Sequence, residues 1–356
     1  MAGNTALVVG ISGITGRALA EYLCGLGGWT VLGISRRAHG ELGEIRRADV
    51  DLTNADATAE AVGRLGRPTH LYFVTWARQS TELENCEMNG RMFRNAVEAA
   101  AASGELRHVA LVTGLKHYMG SFENYAASEL ETPFSEEMPR VAGPNFYYTQ
   151  EDILFELAAR SGFTWSVARP HTIIGYAPGN AMNLSTSLAV YATLCRESGR
   201  KFVFPGSPEQ YGGLTDMTDA GLLARHLVWS STTPAAANTA FNVVNGDVFR
   251  WKKLWRQIAD YFGIEVGIYP GEAQKLAQSL ADAGPEWDRI VRKYHLCPNK
   301  ITEIAPWWHV DADLGRTRET LTDMSLSRER GFLDYQRTSA AVLSVFERLR
   351  EARVIP

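Results

Sequence analysis

Three glycines near the N-terminus constrain the fold more than any other feature of the sequence. The segment ALVVGISGITGRALAEYL places Gly10, Gly13 and Gly16 directly after an apolar run and at the opening of an amphipathic helix. In such a strand-turn-helix unit the glycines permit the tight turn, the approach of backbone to a pyrophosphate and close helix packing. The helix N-terminus adds amide donors and a partial positive charge. We predict a dinucleotide site at this turn, including Ser12 and Ile14; an ordinary glycine-rich turn is the alternative.

Short apolar runs alternate with helix-like segments through the first half of the chain. Continuous apolar runs are typical of strands buried on both faces of a sheet. Alternation of such runs with helices predicts an α/β, Rossmann-like, doubly wound parallel sheet with right-handed crossovers. The predicted strands are 6–9, 31–34, 71–74, 109–112 and 165–168, and the predicted helices are 15–26, 55–63, 87–102 and 149–160.

The alternation is lost after Pro170. Glycine, proline, tryptophan and long helical stretches dominate residues 175–206 and 246–314. This composition predicts a smaller, mainly helical substrate-binding cap that closes over the C-terminal edge of the sheet. The predicted domains are a cofactor-binding Rossmann domain over 1–175, to which segments near 210–245 return, and a cap with C-terminal helices over 176–210 and 246–356.

Composition excludes several classes of partner. A net charge of −4 gives no basic field for nucleic-acid phosphates. The four cysteines form no Cys-x-x-Cys pair and the eight histidines no His-x-x-x-His spacing, so we expect neither disulfides nor a metal. The N-terminal residues lack a basic-then-apolar pattern, so we expect no signal sequence, and the sequence contains no run of about 18 apolar residues. We expect a cytoplasmic protein that binds a small-molecule substrate and no membrane or nucleic acid, with a homodimer as an open possibility.

The end of the second predicted strand indicates which dinucleotide would bind. Roughly 20 residues past the last glycine, a free ribose 2′-hydroxyl calls for Asp or Glu. The sequence instead reads GISRR, in which Arg36 and Arg37, helped by Ser35, can pair with a 2′-phosphate. This predicts NADP(H); the alternative is a solvated pair of surface arginines.

Two later segments complete the predicted cofactor site. In VDLTN, Asp51 is expected to meet the adenine amino group and Leu52 its face. Thr75 and Trp76, which end the fourth strand, are expected near the ribose and nicotinamide.

The segment NFYYTQEDILFE lacks a lysine where a reductase of this architecture usually carries a Tyr-x-x-x-Lys pair. Glu151 follows Tyr147 by four residues, and Asp152 follows Tyr148 by four. Thr149 to Asp152 resembles a capping box, which predicts that both tyrosines lie at or before the helix start. We interpret the two carboxylates as first-turn charges that favour the helix dipole.

A lysine follows the fifth predicted strand instead. Lys116 projects from that sheet end, which faces the same crevice as the start of the tyrosine helix. Lys116 and one of the two tyrosines can form a donor pair for an oxygen that gains negative charge. Such a pair suits hydride delivery to the β-carbon of an α,β-unsaturated carbonyl, whereas ketone reduction must also protonate an alkoxide. The alternative is a surface lysine with packing tyrosines.

The chain resembles the progesterone 5β-reductase/iridoid synthase-like enzymes, a branch of the extended short-chain dehydrogenases/reductases. The resemblance rests on segments across nearly the whole chain: GISGITG, SRR, YFVTWA, TELENCEMN, TGLKHYMGSFE, NFYYTQED, NGDVFRWKKLW and SRERGF. It implies NADPH-dependent 1,4-reduction of enones, with Lys116 and Tyr147 as the catalytic pair. The match also implies that further residues touch cofactor or substrate: Ile173, Asn180, Ala181 and Met182, with Phe122 and Met182 in the substrate pocket.

One position departs from the family pattern. Members usually carry proline before the pocket phenylalanine, whereas this chain has Ser121, which bears on pocket shape and substrate preference. Two rival functions remain at this point. One is a carbonyl reductase or nucleotide-sugar enzyme on the same scaffold, and the other is a protein that senses NADP without turnover.

Overall fold

The structure, a computed structural model, describes residues 3–36, 45–120 and 131–356. The chain forms two compact units. The first takes in residues of 1–171, 220–244 and 322–334, and the second comprises 172–219, 245–321 and 335–356. Segment 322–334 therefore belongs to the first unit and not to the predicted cap. The reason is apolar packing, since Met324 and Phe332 are buried in one cluster with Leu222 and Val244.

The first unit is built on a seven-stranded sheet in which every neighbouring pair is parallel. This confirms the predicted doubly wound fold. The strand order is β3-β2-β1-β4-β5-β6-β9. These strands are β1 (Asn4–Val9), β2 (Trp29–Ser35), β3 (Arg46–Asp49), β4 (His70–Phe73), β5 (His108–Val112), β6 (Thr164–Pro170) and β9 (Thr239–Val243).

All five apolar runs lie in central strands of this sheet, and β4 is buried along its whole length. Two strands were not among those runs. The sequence of β3 is RRAD, which suits the edge of a sheet, where one side of the strand faces no neighbour. The other, β9, closes the opposite edge beside β6.

Helices cover the sheet of the first unit. They are α1 (Ile14–Leu26), α2 (Ala55–Leu65), α3 (Glu82–Ala101), α4 (Lys116–Met119), α5 (Phe146–Ser161), α8 (Ala220–Thr232) and α14 (Ser325–Glu329). A capping box formed by Thr81 and Glu84 starts α3 five residues before the predicted start. The capping box predicted at Thr149 to Asp152 is wrong, because α5 begins at Phe146 and is capped by Asn145.

The second unit is mainly helical, and its one sheet is the pair β7 (Ile173–Ile174) and β8 (Thr218–Asp219). Its core contains Phe202 stacked on Trp255 with ring centroids 4.0 Å apart. Its helices are α6 (Leu184–Ser198), α7 (Pro208–Gly212), α9 (Trp251–Phe262), α10 (Leu276–Ser279), α11 (Gly284–Lys293), α12 (Ile301–Ile304), α13 (Trp307–Leu314) and α15 (Thr338–Glu351).

The carboxyl ends of β1, β4, β5 and β6 meet at one edge of the sheet, because all four strands are parallel. The glycine turn follows β1, Thr75 and Trp76 follow β4, and Lys116 follows β5. The fold therefore collects most of the predicted site residues of the first unit at this edge. No helix within the described ranges is long and apolar enough to cross a membrane, and all four cysteines are free.

Candidate active site

The glycine turn has the tight geometry that the motif requires. Gly10 has a φ of 98°, and a Cβ there would lie 2.7 Å from Thr75 Cβ. A Cβ on Gly16 would collide with the backbone oxygen of Gly10, so the helix can pack this closely only on glycine. Gly13 is the N-cap of α1, whose first residue is Ile14, and Ser12 lies in the preceding turn. As a glycine, this N-cap residue has no side chain that could accept a hydrogen bond from the amides at the helix start. The amides of this N-terminus are thus suited to an anionic ligand.

The residues that were expected to grip a 2′-phosphate lie at the end of β2. Ser35 is buried, with its hydroxyl 3.4 Å from Asp49 Oδ1, and Arg36 is exposed. Arg37 lies outside the described residues. Hydrogen bonds from the amide and hydroxyl of Thr53 lower the pKa of Asp51, and the positive charge of Arg36 adds to the effect. The carboxylate of Asp51 and the guanidinium of Arg36 are therefore close enough to interact.

Two of the predicted adenine and nicotinamide contacts have well-defined surroundings. Leu52 is buried within the core of the first unit, and its carbonyl accepts a hydrogen bond from Asn95 at 2.8 Å. Trp76 is partly buried and stacks on Phe146, with ring centroids 5.3 Å apart and planes inclined by 14°. Trp76 therefore lies directly against the start of the helix that carries Tyr147.

Lys116 is buried, and its partner was not foreseen from the sequence. The ammonium group forms an ion pair with Glu82 Oε1, and both side chains are buried. The same ammonium lies 4.4 Å from the centroid of the Phe146 ring and 5.8 Å from that of Tyr147. The alternative of a surface lysine is thus wrong, and the structure brings Lys116 beside Tyr147.

Asn145 ties the two candidate catalytic residues together through the backbone. Its Oδ1 accepts from the amide of Tyr147 at 3.1 Å, and its Nδ2 donates to the carbonyl of Lys116 at 3.0 Å. The Tyr147 hydroxyl itself reaches Gly114, where a Cβ would lie 3.2 Å from it and 3.2 Å from Pro170 O. A glycine after β5 thus leaves room for this hydroxyl.

The hydroxyl of Tyr148 has a different environment. It donates to the carbonyl of His117 and accepts from the amide of Val141 at 2.9 Å. The ring is buried, packs edge-on against His117 and lies under the guanidinium of Arg140. Tyr148 therefore has the contacts of a packing residue, and Tyr147 is the tyrosine that faces Lys116.

Glu151 is buried and belongs to a charge network, so its interpretation as a first-turn charge is wrong. Its carboxylate pairs with Arg140 at 2.9 Å and Arg169 at 3.2 Å. His117 Nδ1 lies 3.4 Å away without the alignment of a hydrogen bond. Burial alone would raise the pKa of Glu151, but His117 and the two arginines outweigh it and hold the pKa at about 2. Asp152 is exposed and also pairs with Arg140.

Comparison with known proteins identifies the family. Residues 46–356 match the model of the PRISE-like Rossmann-fold domain. An (S)-8-oxocitronellyl enol synthase from Nepeta racemosa is 39% identical over 99% of this chain and 93% of its own length. A 3-oxo-Delta(4,5)-steroid 5-beta-reductase from Arabidopsis thaliana is 37% identical over 99% of this chain and 93% of its own length. The chain belongs to this family. The resemblance drawn from the sequence motifs is thereby confirmed.

Solved structures support the fold at much lower identity. A UDP-glucose 4-epimerase from Thermotoga maritima, solved with UDP-glucose, matches with a TM-score of 0.69 at 14% identity, over 98% of this chain and 99% of its own. A UDP-glucose 4-epimerase from Thermus thermophilus, solved in complex with NAD, has a TM-score of 0.66 at 14% identity, over 98% and 99%. These likenesses show the shared Rossmann-type architecture alone.

The remaining predicted residues belong to other segments of the chain. Ile173 is in β7 of the second unit, and Asn180, Ala181 and Met182 form the turn before α6, where Asn180 Oδ1 accepts from the Met182 amide at 3.0 Å. Phe122, like Ser121 before it, is outside the described residues. Within 3–36, 45–120 and 131–356, no group of His, Cys, Asp and Glu could hold a metal ion.

Sequence reasoning missed Glu82 and Asn145. Asn145 carried a readable signal, because an N-cap residue type precedes the aromatic residues of α5 directly. Glu82 carried no such signal beyond its place next to a capping box. It lies 34 positions before Lys116, and nothing in the sequence indicates that the two side chains will be in contact.

Proposed function

We propose that this protein catalyses the NADPH-dependent 1,4-reduction of the C=C bond of α,β-unsaturated carbonyl compounds. As a member of the family, the chain is an oxidoreductase acting on CH–CH bonds. The name of the Arabidopsis relative describes a 3-oxo group conjugated with a Δ4,5 double bond, which is an enone. The observation that carries the proposal is the placement of the Lys116 ammonium 5.8 Å from the centroid of the Tyr147 ring, at the same edge of the sheet as the glycine turn.

The chemistry follows from where negative charge develops. NADPH, when bound, supplies the hydride that the β-carbon of the enone receives. Lys116 and Tyr147 donate hydrogen bonds to the substrate carbonyl oxygen, which becomes an enolate oxygen as the reaction proceeds. A proton from water then adds to the α-carbon and restores the carbonyl group. Donors aimed at a developing oxyanion contribute about 100- to 1000-fold each in comparable sites.

Position 151 distinguishes this chemistry from ordinary ketone reduction. A reductase with a Tyr-x-x-x-Lys pair has a lysine four residues after its tyrosine, and this chain has Glu151 there. That carboxylate is held ionised by Arg140 and Arg169 and lies beside His117, so it supplies no cation to Tyr147. Stabilising an enolate needs no proton relay through this position, whereas protonating an alkoxide does.

The cofactor proposal has a general and a specific part. A Rossmann-type fold indicates a nicotinamide dinucleotide, and the glycine turn with the uncapped N-terminus of α1 fits its pyrophosphate. Arg36 and Arg37 would pair with the 2′-phosphate of NADPH, with Ser35 beside them, and Asp51, Leu52, Thr75 and Trp76 would contact the rest. Ile173, Asn180, Ala181, Met182 and Phe122 remain predicted contacts of cofactor or substrate.

A substrate panel tests the proposal directly. NADPH absorbance is followed with 2-cyclohexen-1-one, an open-chain enone, a steroid enone and an unsaturated dialdehyde, each beside its saturated counterpart. The proposal expects NADPH consumption with one or more enones and a product that keeps its carbonyl group. Consumption with the saturated ketones alone would identify a carbonyl reductase instead.

A further inference from the structure

The partner of Lys116 is the first residue of α3. Glu82 is 6% exposed and Lys116 is 5% exposed, so their ion pair is almost wholly removed from water. An ammonium group that is buried without an anion tends to lose its proton, because desolvation penalises the charged form. Glu82 supplies that anion in direct contact.

One carboxylate oxygen of Glu82 accepts two hydrogen bonds. Glu82 Oε1 accepts from Lys116 Nζ and also from the backbone amide of Phe146, at 2.8 Å from the latter. Phe146 opens the helix that carries Tyr147. A shift of this oxygen would therefore move the lysine relative to the tyrosine.

The second oxygen fixes the rotation of the carboxylate. Glu82 Oε2 accepts from Asn85 Nδ2 at 3.2 Å, and Asn85 Oδ1 accepts in turn from the amide of Gln79 at 2.8 Å. Through the side-chain amide of Asn85, the glutamate is therefore tied to the backbone of Gln79, just before α3. The carboxylate is thus held in one orientation without help from a ligand.

We infer that Glu82 is a positioning residue for enone reduction, whose carboxylate keeps the amine of Lys116 as an ammonium and aims it beside Tyr147. The inference rests on the proposed function of Lys116 and Tyr147. Glu82 acts through Lys116 and does not touch the substrate.

The other ionisable groups around α4 do not take this role. His117 and Tyr118 follow Lys116 on α4, and burial lowers the pKa of His117, which disfavours its charged form. Glu151 on α5 is paired with Arg140 and with Arg169 of β6. Glu82 contacts the ammonium directly.

The test is the pH profile of Glu82→Gln. Glutamine keeps an oxygen that can accept from the Phe146 amide but removes the negative charge. Losing an adjacent opposite charge favours the neutral amine, so the alkaline limb of kcat for 2-cyclohexen-1-one should move to lower pH by about 1 to 3 units. The Kd for NADPH should change less than about threefold. Glu82→Asp retains the charge and should return the limb towards that of the unmodified protein, with a lower plateau because its reach is shorter.

Glu84→Gln is the matched control. Glu84 lies in the same first turn of α3, where its carboxylate accepts from the amides of Ser80 and Thr81 and is exposed to solvent. Its substitution removes one negative charge from that turn and should leave the pH profile unchanged.

The possible failures are distinguishable. If Lys116→Ala abolishes turnover but Glu82→Gln keeps the unmodified alkaline limb, the inference about Glu82 is overturned and the proposed function stands. If Lys116→Ala retains full activity, the proposed donor pair is wrong and the role of Glu82 is wrong with it.

Should Glu82→Gln not fold, the Tm of Lys116→Met is compared with that of Lys116→Met combined with Glu82→Gln. Lys116→Met leaves the buried Glu82 carboxylate without this ammonium, so the inferred ion pair predicts that adding Glu82→Gln raises the Tm. A double variant with a lower Tm than Lys116→Met alone would contradict the inference.

Discussion

Tyr148 donates its hydroxyl hydrogen to the backbone carbonyl of His117, which follows the candidate catalytic lysine. The same hydroxyl accepts from the amide of Val141 at 2.9 Å. Tyr148→Phe would leave both backbone groups without this partner. We expect a loss of about 1 to 3 kcal/mol in the free energy of unfolding, measured by urea denaturation. Enone turnover of the folded variant should stay within a few-fold of the unmodified protein. A stable Tyr148→Phe variant that cannot reduce enones would show that this tyrosine has been assigned the wrong role.

The charge network behind the site predicts a dependence of stability on pH. Glu151 has a pKa of about 2 in the folded protein, against an ordinary value of 4.5. Its carboxylate therefore stabilises the fold fully above about pH 4.5, and this stabilisation is lost as the pH falls towards 2. Glu151→Gln should cost about 2 to 3 kcal/mol at pH 7, and the difference from the unmodified protein should shrink below pH 4.5.

Asp152→Asn provides the control for that measurement. Asp152 pairs with the same Arg140 at 2.7 Å, but its side chain is 63% exposed. An exposed pair of this kind contributes about 0 to 1 kcal/mol. An equal loss from both substitutions, or a Glu151→Gln effect that does not vary between pH 7 and pH 3, would contradict the network described for Glu151.

The contact of Tyr147 with Gly114 predicts a steric effect on turnover. A Cβ at position 114 would lie 3.2 Å from both the Tyr147 hydroxyl and the carbonyl oxygen of Pro170, closer than ordinary contact. Gly114→Ala should displace the hydroxyl by a few tenths of an ångström and lower enone turnover by about tenfold, since small misplacements are costly in catalysis. Gly63→Ala, in α2 with open space around it, should not change turnover. Unchanged turnover in Gly114→Ala would mean that the position of this hydroxyl is not critical.

Cofactor preference is tested at the end of β2. Changing Arg36 and Arg37 together to alanine removes two charge-assisted partners of a 2′-phosphate. Because Arg36 is exposed, solvent weakens the effect, and we expect the KM for NADPH to rise by about tenfold or more while that for NADH changes little. Arg64→Ala, at an exposed position of α2, should change neither KM. Equal kcat/KM with both cofactors in the unmodified protein would contradict the predicted preference for NADPH.

The features that could be predicted from the sequence are those in which neighbours along the chain decide the structure. The glycine turn lies between one strand and one helix, so its context was visible, and apolar runs identified the central strands. The polar edge strand β3 escaped because it lacks that pattern. The start of α5 was predicted wrongly because Thr149 to Asp152 fits a capping box. Asn145 precedes that segment, and its side chain caps the helix by accepting from the Tyr147 amide.

The candidate site could be predicted only in part, for a reason of geometry. Lys116 and Tyr147 both follow from strand and helix ends that a parallel sheet brings to one edge. The ion pair with Glu82 depends on how the first turn of α3 packs against α4 and α5, which no spacing in the sequence specifies. Glu151 was misinterpreted for the same reason, because its partner Arg169 comes from β6.

The central claim is that Lys116 and Tyr147 act together on one substrate oxygen, and single-turnover oxidation of bound NADPH by 2-cyclohexen-1-one at saturating cofactor tests it most directly. Lys116→Ala and Tyr147→Phe should each slow this step by about 100- to 1000-fold while leaving NADPH affinity nearly intact. The double variant should be far less impaired than the product of the two effects, because residues that act as a unit are not additive. Normal rates in both single variants would contradict the account, as would a double variant whose loss equals the full product.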